Sequence, residues 1–324
     1  QTDLPAMPPP FPSAAATQSS QPTGELHRKR KGFLSKGNQP KSRLGCFLKT
    51  VIALLFLIAI VGLGIFSFLI YQYFRVSNDL PSVNELVTRS SQFETTSIYD
   101  RNGTLLYEIM DPNAGKRTYT TLDHISPYLL AATLATEDKD FYVNPGFDLP
   151  AMFRALWQNY TSGEVVSGAS TITQQLARIL LLGPDERYQI TVERKAREII
   201  LAREITQLYT KDQILEIYLN EINFGNLAYG VEAAANTYFK TTANLLTLSQ
   251  AAFLAGLPQA PSVYDVYTNR EVTLNRSEQV LSLLYELTQE RKGCVEIGTE
   301  RMPVCITLDE LANAAQDLNA YNFQ

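Results

Sequence analysis

The longest apolar run lies near the N-terminus. Val51 to Ile70 reads VIALLFLIAIVGLGIFSFLI, with Ser67 its only polar side chain. At a helical rise of about 1.5 Å per residue, this run spans roughly 30 Å, the hydrocarbon thickness of a bilayer. Tyr71, Tyr73 and Phe74 follow as an interfacial aromatic belt. Residues 1–45 are rich in Pro, Ser, Gln and Ala and carry no apolar period. Such a segment buries too little surface to offset its ordering entropy, so disorder is expected there. Beyond the span, Leu80 to Glu94 reads as a polar connector. TTSIYDRNGTLLYEIM (95–110) then predicts a β-hairpin around Asn102-Gly103, with both turn positions at positive φ. From Ser126 onward the period is helical. Helices are expected over Pro127–Ala135, Leu149–Tyr160, a stretch capped by Ser170, Gln189–Tyr209, Lys211–Asn220, Leu248–Leu257, a stretch from about Arg276, and Leu308–Leu318. The chain is predicted to be mostly α.

Charge orients the span. Up to Arg75 there are nine Lys/Arg and two Asp/Glu, including the run His27-Arg28-Lys29-Arg30-Lys31. The remainder carries 19 basic and 31 acidic residues, a formal charge of −12. A basic leader before the span predicts a cytoplasmic N-terminus and an extracytoplasmic body. A cleaved signal peptide fits less well, because core and leader are both too long and no small-residue cleavage site follows. An acidic body argues against nucleic acid as the main partner. With two His and no C-x₂-C pattern, a zinc site is not expected. Outside the membrane, Cys294 and Cys305 could close a small hairpin around Gly298 and Pro303; two free thiols are the other reading.

Several stretches carry candidate chemistry. In TEDKDFYVNPGFD (136–148), Glu137 falls at a helix end, where burial would tune a carboxylate for proton transfer. A solvated acidic helix end is the plainer alternative. In STITQQLARIL (170–180), Ser170 is the expected N-cap. Ile172, Leu176 and Ile179/Leu180 mark the buried face, leaving Gln174 and Gln175 to offer amides to a polar ligand. Arg194, Lys195 and Glu198 share one helix face, either as an ordinary ion pair or as a phosphate site. Met152, Phe153, Leu156 and Trp157 form an apolar stripe that is either core or, favoured for Phe153 and Trp157, membrane interface.

Five runs then stand in one order: TEDKDFYVNPGFD, GASTITQQLAR (168–178), RKAREIILAREI (194–205), KDQILEIYLNEINFGNLAYGVEAAANTYF (211–239) and LSQAAFLAGLPQAPSVY (248–264). Together with IYDRNGTLLYE (98–108), they make residues 80–285 resemble the glycosyltransferase module of class A penicillin-binding proteins, peptidoglycan glycosyltransferase family 51. The resemblance implies a lysozyme-like, two-lobed, mostly α-helical domain. It implies polymerisation of lipid II into glycan strands, with inversion and loss of undecaprenyl diphosphate. It makes Glu137 the catalytic base and Glu198 the second acid, linked to the diphosphate and its Mg²⁺ or Mn²⁺. Arg194 and Lys195 would neutralise the leaving group, and Asp138, Ser170, Gln174 and Gln175 would line the cleft. Three departures stand out: Asn144 where the family usually has His, Ile179 for Asn, and Gln250 for Glu.

The expected organisation is a disordered tail (1–45), a transmembrane helix (46–74), a connector with the hairpin (75–125), the glycosyltransferase domain (126–285) and a linker (286–324). No S-x-x-K or K-T-G motif occurs, so the linker is expected to lead toward a transpeptidase that this chain lacks. Expected partners are lipid II, the growing glycan, the membrane and other wall-synthesis proteins. Two other readings stay open: a lytic enzyme of lysozyme-like fold, and a degenerate membrane-anchored scaffold.

Overall fold

The computed structural model describes residues 43–90, 95–109, 115–162, 169–298 and 300–323. The expected disordered tail, apart from residues 43–45, lies outside them, as do Met110 and Gly168. The chain divides after Gly64 into two units, and helix α1 (Arg43–Ser77) runs through the division. Within α1, Phe47–Ser77 is long and apolar enough to cross a membrane, and its large apolar side chains from Phe47 to Phe74 are exposed except Val51.

The second unit is helical. It contains α2 (Leu86–Ser90), α3 (Pro127–Glu137), α4 (Leu149–Ser162), α5 (Ile172–Leu180), α6 (Pro184–Arg187), α7 (Val192–Leu208), α8 (Lys211–Glu221), α9 (Val231–Phe239), α10 (Leu248–Gly256), α11 (Arg270–Glu290) and α12 (Leu308–Ala320). Three short pairings accompany them. β1 (Thr96–Tyr99) runs antiparallel to β2 (Leu105–Ile109), β3 (Lys116–Arg117) parallel to β4 (Ala228–Tyr229), and β5 (Cys294–Val295) antiparallel to β6 (Val304–Cys305). The first pairing is the predicted hairpin, with one correction. Only Gly103 has positive φ (84°), because the Asp100 carboxylate accepts the Asn102 and Thr104 amides and shapes the turn itself.

Core formation follows the helical periods. α3 packs on α10 and α11, and α5 packs on α7 and α8. Leu129, Leu130, Leu176, Leu201, Ile205, Ile214, Phe253 and Leu284 belong to one continuous buried cluster that joins both groups. Among the described residues four helices open with capping boxes: Thr171–Gln174, Thr210–Gln213, Thr247–Gln250 and Thr307–Glu310. In each, two amides that helix geometry leaves unpaired find side-chain acceptors. Gln250 therefore does what a Glu would do at that position.

The segment after residue 285 is packed, and the boundary expected there falls inside α11. Leu311, Ala314 and Leu318 of α12 are buried. Tyr321 meets the Phe239 ring at 5.2 Å and Phe323 stacks on Phe253 at 4.9 Å. Cys294 and Cys305 are joined in a disulfide across the β5–β6 pair. α4 presents Phe153 (70 % exposed), Trp157 (68 %) and Tyr160 (83 %) to the surface, so Phe153 and Trp157 are not core, while Met152 is half-buried.

Candidate active site

Glu137 is the last residue of α3 and is half-buried. Gln175 of α5 donates its side-chain amide to Glu137 Oε2 at 2.6 Å. The Gln175 carbonyl accepts from the buried Tyr218 hydroxyl at 3.2 Å, which fixes the amide's orientation. Burial pushes the Glu137 carboxyl above its ordinary range, against the opposing pull of the Gln175 bond and of the Arg276 and Arg178 charges.

The next residues turn the chain toward the start of α5. Asp138 accepts both Asn144 Nδ2 contacts (2.9 and 3.0 Å) and the Ile172 amide (3.2 Å). Burial pushes Asp138 up to about 6, countered by Asn144, Ile172 and Lys211. Asn144 Oδ1 accepts from Lys211 Nζ and the Gly146 amide. Gly146 has φ 99°, and a Cβ there would clash with the Ala202 carbonyl oxygen, so only glycine fits. Asn144 thus carries the turn. Asn144→Ala should cost about 1–3 kcal/mol, because partners on both sides lose their bonds. Chemical denaturation measures this.

At α5 two expectations need correction. The N-cap is Thr171, not Ser170, because Thr171 stands three residues before Gln174 and forms the box. Ser170 Oγ instead accepts from Lys195 Nζ at 2.6 Å. Gln174 is 0 % exposed and does not offer its amide to the cleft. Its carbonyl oxygen takes the Thr171 amide at 3.0 Å and lies 3.4 Å from Lys195 Nζ.

α7 starts at the Thr191 cap and carries the cationic cluster. Glu198 is 0 % exposed. Lys195 lies 3.0 Å from it, Arg194 3.4 Å and Arg178 4.0 Å. Desolvation pulls the Lys195 ammonium below its ordinary range while Glu198 supports its charge. Arg178 links the two halves: its charge acts on both Glu137 and Lys195. Gln175 and Arg178 also line a cleft of about 920 Å³, together with Ile179, Arg89, Arg117 and Arg187. Glu137, Ser170 and Lys195 do not line it; they adjoin it through Gln175 and Arg178.

Sequence reasoning missed Arg178, Tyr218 and Arg276. Arg178 was findable, one turn along α5 from Gln175. Arg276 comes from α11, and no local pattern points to it.

Residues 102–285 match the protein family described as Transglycosylase. Penicillin-binding protein 1A of Escherichia coli (strain K12) is 40% identical over 225 residues, covering 68% of this chain and 25% of the relative. That of Rickettsia prowazekii (strain Madrid E) is 36% identical over 230 residues, covering 70% and 28%. Penicillin-binding protein 1A/1B of Bacillus subtilis (strain 168) is 38% identical over 272 residues, covering 83% and 27%. The chain thus spans about a quarter of the length of these relatives. A crystal structure of penicillin-binding protein 1A from Haemophilus influenzae is 23% identical, with a TM-score of 0.37, over 71% of this chain and 21% of that one.

Proposed function

The chain belongs to the transglycosylase family, and from that premise we propose that it is a peptidoglycan glycosyltransferase that polymerises lipid II. Glu137 takes the proton from the acceptor sugar's 4-hydroxyl. That oxygen bonds to C1 of the donor as the bond from C1 to the diphosphate breaks, inverting C1 and releasing undecaprenyl diphosphate. The observation that carries this reading is the bridge made by α5. Gln175 holds the base, while Gln174 and Arg178 of the same helix reach Lys195 and Glu198. Preorganised cations at the leaving group lower the barrier because their orientation is fixed before reaction. In this reading Arg178, Arg194 and Lys195 face the diphosphate, and Glu198 holds them in place from behind and supports the Lys195 charge.

The donor set does not fit a protein-held divalent cation. Among the described residues no three His, Cys, Asp or Glu side chains cluster, and Glu198 is ringed by cations. A divalent ion would therefore be held by the substrate's own diphosphate oxygens.

The reading places the catalytic unit outside the cytoplasmic membrane, anchored by α1 with its N-terminus inside. The basic leader and the disulfide both support that side. Phe153 and Trp157 enter the bilayer interface in this reading. Trp157 is the chain's single tryptophan, so its emission reports on this directly. In vesicles it should shift to the blue and be quenched by brominated lipid; an unquenched, water-like spectrum would reject the insertion.

Full-length protein incubated with lipid II, and separately with finished glycan, tests the function. Chain growth from lipid II supports it. Shortening of finished glycan alone would make the protein a lytic enzyme, and binding without growth would make it a scaffold.

A further inference from the structure

The turn that follows Glu137 is gripped from a part of the chain beyond the family match, which ends at residue 285. Glu290, at the end of α11, pairs with Lys139 Nζ at 2.9 Å. Arg291 Nη2 donates to Asp140 Oδ1 at 2.7 Å and to the Lys139 carbonyl at 3.3 Å. Past Cys294, the Ile297 carbonyl lies 2.9 Å from the Tyr142 hydroxyl, which also lies 3.0 Å from Asp212 Oδ1. Arg301 pairs with the other oxygen of Asp212 at 3.0 Å. Residues 139, 140 and 142 are therefore all held by one short segment.

Two observations show how the grip works. Between turn and hairpin lies a cavity of about 120 Å³, lined in part by Tyr142, Val143, Arg291 and Cys294. The hairpin itself is seated by Val295, Ile297, Val304 and Ile306, which are buried in the core, while polar bonds join it to the turn across this cavity. The Arg291–Asp140 and Lys139–Glu290 pairs are each partly exposed, and such pairs hold weakly when alone. Ile297 lies inside the loop closed by the Cys294–Cys305 bond, and Arg291 stands three residues before that loop, so the bond fixes one gripping point and anchors the chain next to the other.

Taking Glu137 as the base, as read above, we propose that the Cys294–Cys305 hairpin and Arg291 form a positioning clamp for the catalytic turn. The disulfide keeps the clamp closed. Arg291 acts through Asp140 and does not touch substrate. The effect reaches the reacting groups by two routes. The turn is continuous with Glu137, and through Asp138 and Asn144 it fixes the start of α5, which carries Gln175.

The test uses the full chain in detergent micelles. Dithiothreitol reduces the disulfide to two thiols and is itself oxidised to its cyclic disulfide. Reduction should lower kcat for lipid II polymerisation roughly tenfold, with KM within about twofold, because the base is displaced while the substrate contacts stay. The doubly substituted Cys294→Ser/Cys305→Ser protein should match reduced wild type and ignore the reagent. Arg291→Gln should repeat the kcat loss, and Arg291→Lys should recover most of it. An unchanged kcat on reduction, or a fall in kcat matched by lost thermal stability, would overturn the clamp. Should wild type fail to polymerise, the functional reading fails, and hydrogen exchange then judges the clamp alone. Amides 141–144 should exchange faster after reduction, and unchanged exchange would reject it.

Discussion

Glu137→Gln should reduce polymerisation of lipid II by about 10²–10⁴-fold, the range expected for loss of a general base. The substitution keeps the shape and an oxygen to accept the Gln175 amide, so lipid II binding should persist. Stability should hold or rise. Burial places the folded-state pKa of Glu137 above its unfolded value. The ionised form therefore opposes folding at pH 7, and an uncharged amide removes that opposition. The same displacement governs the pH profile of the wild type. As the proposed base, Glu137 must be deprotonated to act, so the rate should climb with pH through a midpoint above the ordinary glutamate value of about 4.3. Gln175 bonds the carboxylate, Tyr218 orients Gln175, and the Arg178 and Arg276 charges favour the ionised form. Removing the Arg276 charge should move that midpoint further up. A Glu137→Gln protein that polymerises at wild-type rate would end the assignment.

Glu198→Ala should be the most damaging substitution for the fold. It leaves Arg178, Arg194 and Lys195 without the carboxylate they surround. Removing one partner of a buried ion cluster costs about 3–5 kcal/mol, because the remaining charge stays desolvated. In a domain of this size that lowers the melting temperature by on the order of 10 °C. Lys195, already pulled down by desolvation, would lose its main support and shed its proton at lower pH. Glu198→Gln retains an acceptor for Lys195 but not the charge, and should fall between wild type and Ala in both stability and rate. Calorimetry beside the polymerisation assay separates the contributions. If Glu198→Ala melts like wild type and only the rate falls, Glu198 acts on substrate directly and not through its cations.

The helices were legible because their apolar periods are strong and their caps are explicit. The membrane-length run and the hairpin at Asn102-Gly103 were equally visible. The site was legible only in part. Glu137, Lys195 and Glu198 stood out by motif, and Gln175, read as offering its amide to a ligand, gives that amide to Glu137. Ser170 and Gln174 were misread although the signal was present. Thr171 and Gln174 have the capping-box spacing, and that box turns Gln174 inward. Three-dimensional coincidence hid the remaining partners. The Arg276 charge acts on Glu137 from α11, and Arg291, just past the end of that helix, reaches Asp140. No local period encodes such a meeting. Asn144 looked like a defect in the motif, yet its amide serves donors and acceptors at once.

The aromatic cover supplied by Tyr321 and Phe323 bears on how this chain can be dissected. Trimming at residue 285, where the family match stops, would sever α11 short of its end and discard the lid over Phe239 and Phe253. Those rings would then face water as an adhesive patch. A minimal soluble catalytic fragment should therefore be sought only with residues 286–323 retained.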